Sequence, residues 1–366
     1  MRTMWRILLI ALLICAFGVI SIYSSTYSKE GDFWQTLFLR QILWVAMGVA
    51  VFFMMARTNY RRLWDWTYVI YGAVLFLLLL VVIMGIVRLG AQRWLRLAGF
   101  NLQPAEVAKL GIIIFLAKYF SKKSIYDVSL PTRSFGIFRG LIVPLMFVTV
   151  PAALIVDQPD LGSGALVFAI FLTMIYLSNV KFRFILIVLL VLLACVPVGW
   201  SMLRDYQKDR VMVFLNPNTD PLGAGYTAIQ SKIAIGSGGL LGKGWLSGTQ
   251  SQLRFLPESH TDFIFATFTE EWGFLGGAAL LLLYYLLIKE GIAIAEKTAD
   301  QFGRLLALGI SLMLTLQVSV NIAMNMGLVP IVGLPLPLMS YGGSSVMITF
   351  IALGIVVNIN RTRAVF

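Results

Sequence analysis

Charge is scarce in this sequence. Asp, Glu, Lys and Arg make up 13% of its 366 residues, about half of what a soluble domain carries. Apolar residues supply 59%, and mean hydropathy is +0.86. That balance excludes a water-soluble domain and implies a polytopic membrane protein. Histidine is scarcer still, since His260 stands alone. A lone histidine with no serine-nucleophile pattern beside it speaks against the usual histidine-based triads and suits a structural hydrogen-bonder. The two cysteines, Cys15 and Cys195, sit inside apolar runs as small core hydrophobes, and without a Cys/His cluster there is no zinc site. There is no low-complexity region, no soluble second domain and no internal repeat. The last absence weakens a transporter built from inverted halves. The chain reads as one domain over residues 1–366.

What fills the chain is apolar runs. The first, Trp5 to Ser25, is too long for a signal-peptide core and lacks a small-residue cleavage site, so it reads as a mature helix. About ten spans of about twenty residues each follow from hydropathy. They lie near Trp5–Ser25, Gln35–Ala56, Leu63–Ile86, Pro104–Phe120, Phe138–Val156, Gly162–Leu177, Phe182–Leu203, Phe263–Lys289, Gly303–Met326 and Ser344–Asn360. The expected fold is an all-α polytopic integral membrane protein. An even span count puts both termini on one side. Arg2, Arg6, Arg57, Arg61, Arg62, Lys118, Lys122, Lys123, Arg133, Lys181, Arg183, Lys289, Lys297, Arg304, Arg361 and Arg363 fall on that side, against chiefly Lys29, Arg88, Arg93 and Arg96 in the opposite short connections, and the positive-inside rule makes that side cytoplasmic. The net charge of +12 is therefore orientation within a membrane bundle, not a nucleic-acid footprint. A long connection, 204–262, between spans 7 and 8 then lies outside the cytoplasm.

Three outer segments stand out. Arg88–Gln103 interleaves cations with Trp94, as an interfacial helix or re-entrant turn would. The long connection carries a glycine-rich stretch, Gly236 to Gly244, with Lys243. It is not a P-loop, because Ser237 stands six residues before Lys243 and Gly244 follows it. Glycines there serve either turns or an anion cradle. Gly327–Tyr341 contains Pro330, Pro335 and Pro337, and such backbone survives at membrane depth only when buried in protein or lining a cavity.

The carboxylates are few enough to weigh singly. Asp262 closes the long connection at the lip of the eighth span, where an ionisable group is costly and therefore a functional candidate. It reads equally as an N-cap for the helix that follows. Glu258, four residues earlier, is the competing carboxylate, with solvation as its expected role. Glu106 and Lys109 are three apart at the start of a span and share a face, so they can pair as a structural clasp or line a substrate cavity. Asp160 sits at an outer boundary, free to cap the next span, hold a cation or orient a substrate. Glu270 and Glu271 fall inside the eighth span and are expected to bond to neighbouring helices.

Gly90-Ala91-Gln92-Arg93-Trp94-Leu95, Gln103-Pro104-Ala105-Glu106, Asp157-Gln158-Pro159-Asp160-Leu161-Gly162, the stretch Asp220 to Gly276, and Pro335 through Ser344 together resemble the SEDS family (shape, elongation, division and sporulation) over essentially the whole chain. Gly242 to Gln252 resembles its elongation branch rather than its division branch. Ala105 and Trp272 depart from the family's pattern, and neither is at a candidate reacting position. The resemblance implies a peptidoglycan glycosyltransferase of the bacterial cytoplasmic membrane. Such an enzyme polymerises lipid II on the outer face beside a class B penicillin-binding protein. It also implies Asp262 as the essential aspartate and Glu106 with Lys109 as the buried pair. Diphosphate is a good leaving group, so the reaction needs a base for the acceptor hydroxyl and cations for the departing diphosphate. Asp262 is the expected base. Arg210, Lys232 and Lys243 are the expected diphosphate contacts, Lys232 and Lys243 having loop solvation as the alternative. A divalent cation, Mg2+ or Mn2+, would be able to share their work. The rival reading is a lipid II flippase, which would need polar groups through the full membrane depth.

Overall fold

The computed structural model describes residues 2–28, 31–88, 91–97, 100–126, 141–178, 186–188, 190, 194, 197, 200–201, 205–217, 220 and 223–362. Helices dominate it. They are α1 (Arg2–Tyr27), α2 (Asp32–Gln35), α3 (Leu37–Arg57), α4 (Arg61–Met84), α5 (Pro104–Tyr126), α6 (Val143–Asp157) and α7 (Leu161–Leu177), then α8 (Asp205–Leu215), α9 (Ala224–Ser237), α10 (Thr249–Gln252), α11 (Ile264–Glu296), α12 (Gln301–Asn325) and α13 (Gly343–Thr362). Among the described residues, α1, α3, α4, α11, α12 and α13 are long and apolar enough to cross a membrane, and α6 and α7 are shorter apolar helices. The expected seventh span, Phe182–Leu203, lies largely outside the described residues.

The bundle is apolar on its outside as well as in its core. α4 turns Phe76 and Ile83 outward, as a lipid-facing surface requires. α5 does the opposite. Proline at its first position needs no hydrogen-bond acceptor, and Glu106 complements the positive end of its dipole. Behind them Ala108, Lys109, Ile112, Ile113, Leu116 and Ala117 are all buried. This helix packs against α4, α6, α7, α12 and α13. Glu106, Lys109 and Lys118 are thus all buried on a helix surrounded by other helices.

Two expectations need correction. Arg88–Gln103 is not a helix or re-entrant turn. It belongs to a three-stranded antiparallel sheet of β1 (Ile86–Arg88), β2 (Ala91–Leu97) and β3 (Phe100–Leu102), with Val87 opposite Gln92 and Arg96 opposite Asn101. What makes it a strand is pairing on both sides, by β1 and by β3, rather than any clear polar–apolar alternation. Leu95 is buried, Arg96 is exposed, and Arg93 shares the face of Leu95. The fold is therefore helical with a small sheet, not all-α. The connection 204–262 is likewise not merely a loop, because α8, α9 and α10 lie within it.

α11 is broken near its start. Gly273 has φ +65 and ψ −165, a conformation that only glycine adopts freely. The glycine-rich stretch fills the gap. Lys243 and Gly244 donate their amides to the carbonyls of Glu270 and Glu271 at 3.0 Å each, while Phe274 and Leu275 donate to the carbonyls of Gly239 and Leu240 at 2.9 and 3.1 Å. A β-carbon on Gly242 would collide with the Glu271 carbonyl. These glycines serve close backbone approach to a helix, not an anion cradle. The proline-bearing segment 327–341 is irregular; its second half, with Leu334 and residues 336–340, is buried, while the first half is partly exposed and Leu328 is exposed. Its carbonyls are satisfied by side chains: Asn321 donates to Leu334, Tyr284 to Pro337 and Gln41 to Ser340.

Candidate active site

Asp262 ends a turn in which Thr261 and Phe263 donate their amides to the Glu258 carbonyl at 3.1 and 3.3 Å. The residue at the N-cap of α11 is Phe263, with no side-chain cap bond, so Asp262 is not spent as a cap. Its backbone is pinned from behind. Asn321 and Asn325, one turn apart on α12 and both buried, donate their side-chain amides to the Asp262 carbonyl at 3.0 Å each. Ser340 similarly donates to the Thr261 carbonyl at 2.7 Å. The carboxylate itself accepts no hydrogen bond from any described residue. A fixed main chain with an uncommitted side chain suits a group that must meet a substrate.

The surroundings tune that carboxylate. Burial pushes Asp262 up to about 7; the charge of Glu258 adds to the rise, Arg210 and Arg93 pull against it, and Asp160 adds a further push upward. A carboxylate poised near neutrality, half-buried and beside two guanidinium groups, is matched to taking a proton from a hydroxyl.

The expected site residues divide into three places. Arg210, on α8, donates to the Ile331 carbonyl at 3.3 Å and faces Asp262. Together with Lys232, on α9, it lines a cleft bounded by Gly327, Pro330 and Ile331. Lys232 lies across Gly327, where any β-carbon would displace it. Asp160 is the N-cap of α7: its carboxylate accepts from the Ser163 amide at 3.1 Å, from the Ser163 hydroxyl at 2.9 Å and from Gln103 at 3.3 Å. The amide of Glu106 donates to the Gln103 carbonyl at 3.0 Å, so the Glu106–Lys109 pair abuts this cap. That pair is closed on itself at 2.6 Å, with both side chains buried. Lys243 is not with the others. Its ammonium donates to Glu270 at 2.7 Å and to Thr249 at 2.9 Å, locking the glycine-rich stretch to α11. Glu271 accepts from Ser24 of α1, so the second acid of the pair also has a neighbouring helix. His260 packs edge-on against Trp34, with ring centres 5.4 Å apart.

Sequence reasoning passed over four residues that meet here: Arg93, Gly333, Asn321 and Asn325. Arg93 was visible within a family motif, as one of several interfacial cations. The other three carry no local signal, because their roles depend on contacts across about sixty to seventy residues of chain.

Known proteins resemble this chain over nearly its whole length. The family model for the FtsW, RodA and SpoVE proteins, described as cell cycle protein, matches residues 4–365. The peptidoglycan glycosyltransferase MrdB of Escherichia coli K12 is 42% identical over 357 residues, covering 97% of this chain and 93% of that one. A solved structure described as coordinating polymerization and crosslinking in a peptidoglycan synthase complex aligns with a TM-score of 0.81 at 34% identity, covering 98% of both chains. The crystal structure of the rod shape determining protein RodA of Thermus thermophilus aligns at 0.71 and 29% identity, over 98% of this chain and 97% of that one.

Proposed function

The chain belongs to the FtsW, RodA and SpoVE family of cell cycle proteins, and on that premise we propose how it works as the multi-pass membrane peptidoglycan glycosyltransferase that its relatives describe. Its substrate is lipid II, taken from the outer leaflet of the bacterial cytoplasmic membrane during elongation. Ten spans with both termini in the cytoplasm put Asp262 at the outer face. Asp262 accepts the proton of the acceptor GlcNAc 4-hydroxyl. That oxygen attacks the anomeric carbon of the donor MurNAc, the bond to the diphosphate breaks, and the carbon inverts to a β-1,4 linkage. Arg210 and Lys232 line one cleft, and Arg210 also acts electrostatically on Asp262; the two cations bind the departing undecaprenyl diphosphate by charge-assisted hydrogen bonds. Lys243 is already occupied by Glu270 and is left a structural part. The lipid tails lie in a groove between spans open to the bilayer, and a class B penicillin-binding protein crosslinks the product.

Among the described residues no three His, Cys, Asp or Glu side chains converge on one point. Any Mg2+ or Mn2+ would therefore be held mainly by phosphate oxygens of the substrate. The flippase reading loses one support, because Glu106 and Lys109 are buried and paired with each other at 2.6 Å.

One observation carries the assignment. Asp262 is the carboxylate whose backbone is fixed, whose oxygens are uncommitted and whose proton affinity sits near neutrality. Asp262→Ala is expected to abolish glycan polymer on a lipid II gel assay while the protein still inserts and elutes as a single species. Normal polymer from that variant would overturn the base role.

A further inference from the structure

Arg93 is a guanidinium with unspent donors. One terminal nitrogen donates to the Pro159 carbonyl, at the turn between α6 and α7. Its Nε is buried and has no partner. Arginine carries five N–H donors in a rigid fork, and leaving them unpaired in a low-dielectric site is costly. No carboxylate of the described residues lies within ion-pair distance of it, although Asp262 and Arg93 act on each other electrostatically. The fork is held in place and aimed, and its remaining donors await something.

Gly333 defines where that something fits. A β-carbon on Gly333 would lie 3.4 Å from Oδ2 of Asp262 and 3.9 Å from Nη1 of Arg93. Among the described residues outside its own chain neighbours, the carboxylate and the guanidinium are the two groups that approach this glycine within 4 Å. A hydroxyl oxygen about to lose its proton must come within about 2.6–3.2 Å of the base. A methyl at 3.4 Å would stand in that approach. Gly333 also has φ +69, so its backbone favours glycine as well.

We propose that Arg93 and Gly333 form the slot that seats the acceptor sugar: Gly333 leaves room for the attacking hydroxyl at Asp262, and Arg93 donates to the sugar's neighbouring oxygens to orient it. The assignment deepens the polymerase reading and rests on Asp262 as base. A neutral sugar suits the slot better than a diphosphate does, because the Asp262 carboxylate borders it. The diphosphate has the cleft of Arg210 and Lys232 instead. Two substrates are thereby divided between two sides of one carboxylate. Arg93 acts by positioning and Asp262 does the chemistry.

The test uses the full-length protein, purified lipid II as probe, and initial rates of polymerisation against lipid II concentration and pH. Four variants are compared: Arg93→Gln, Arg93→Lys, Gly333→Ala and Asp262→Asn. Arg93→Gln is expected to lower kcat/KM by about tenfold or more. It should also move the acidic limb of the pH profile upward. The groups facing Asp262 would then be Glu258 and Asp160, which raise it, against Arg210 alone, which lowers it. Arg93→Lys keeps the charge and should hold the limb in place while recovering only part of the rate, since an ammonium lacks the planar fork. Gly333→Ala should cost a similar factor with the limb unmoved. Arg93→Gln and Gly333→Ala both polymerising at the wild-type rate, with Asp262→Asn inert, would overturn the slot and leave the base standing. Polymer from Asp262→Asn would overturn both. If Arg93→Gln fails to elute as a single species, Arg93→Lys decides: a full wild-type kcat/KM from it would overturn the role of the fork, and a loss in Gly333→Ala counts only from protein that elutes as a single species, because φ +69 strains alanine wherever its methyl points.

Discussion

Asp262 and Glu270 lie on one short stretch of chain and have opposite surroundings. Glu270 is fully buried, yet every donor near it is aimed at it. Lys243 donates at 2.7 Å, the Thr249 hydroxyl at 3.0 Å, and the Gln250 amide at 3.1 and 3.2 Å to its two oxygens. Asp262 is more exposed, and its carboxylate accepts nothing from the described residues. Its nearby cations, Arg210 and Arg93, spend hydrogen bonds on main-chain carbonyls instead. A buried carboxylate with a full set of partners rigidifies a structure. One held by its backbone alone keeps both oxygens for a substrate. The break in α11 at Gly273 joins the two, because the stretch that repairs the helix brings Lys243 to Glu270.

The largest effect expected from breaking this contrast is on the satisfied side. Lys243→Ala would strand the Glu270 charge in a buried site. Loss of one partner from a buried pair costs about 3–5 kcal/mol. Glu270→Ala should cost less, since Lys243 is partly exposed and can turn to water. Unfolding of the purified protein on heating should therefore begin lowest for Lys243→Ala, then Glu270→Ala, then wild type. Molecules still folded should polymerise lipid II with unchanged KM. A raised KM with wild-type stability would instead return Lys243 to the diphosphate.

A second test reads the uncommitted side. Asp262 works as a base only when ionised, and burial holds it near 7. The rate, kcat/KM, should therefore climb with pH through an acidic limb near 7 and level off above it. One unit below that limb about a tenth of the plateau rate should remain. A limb near 4 would mean that the carboxylate titrates as if in water, and a flat profile would remove it from the rate law.

Much of this site was legible before any coordinates because the signals were local. Asp262 stands at the lip of a span, Glu106 and Lys109 are one helical turn apart, and Asp160 has a capping position. Each conclusion needed only a few neighbouring residues. What escaped was set by distant contacts. Asp262 fits the N-cap pattern equally well on paper; the turn at Glu258 shifts that place to Phe263. Glycines from 236 to 244 suit a phosphate loop or a close backbone contact alike, and only the break at Gly273 decides between them. Arg93 looked like one more interfacial cation because β2 pairs with two very short strands, whose pattern is too brief to separate from an amphipathic turn.

The smallest expected effect is also the one with the most particular sign. Asp262 holds its proton more tightly in the folded protein, with a pKa of about 7 against an ordinary value of 3.8. Between those values the folded state binds more protons than the unfolded one, so stability falls as pH rises. The penalty is absent below about 4 and complete above about 7. Asparagine has no proton to lose and escapes it. Asp262→Asn should therefore unfold at a higher temperature than wild type at pH 8, and the gap should close as the buffer is taken towards pH 4. The same substitution is expected to end polymerisation, so stability and activity would move in opposite directions at one residue, as they do where a site is held unsatisfied for function. A variant less stable than wild type at pH 8 would mean that the Asp262 carboxylate is bonded in the native state after all, and the contrast with Glu270 would dissolve.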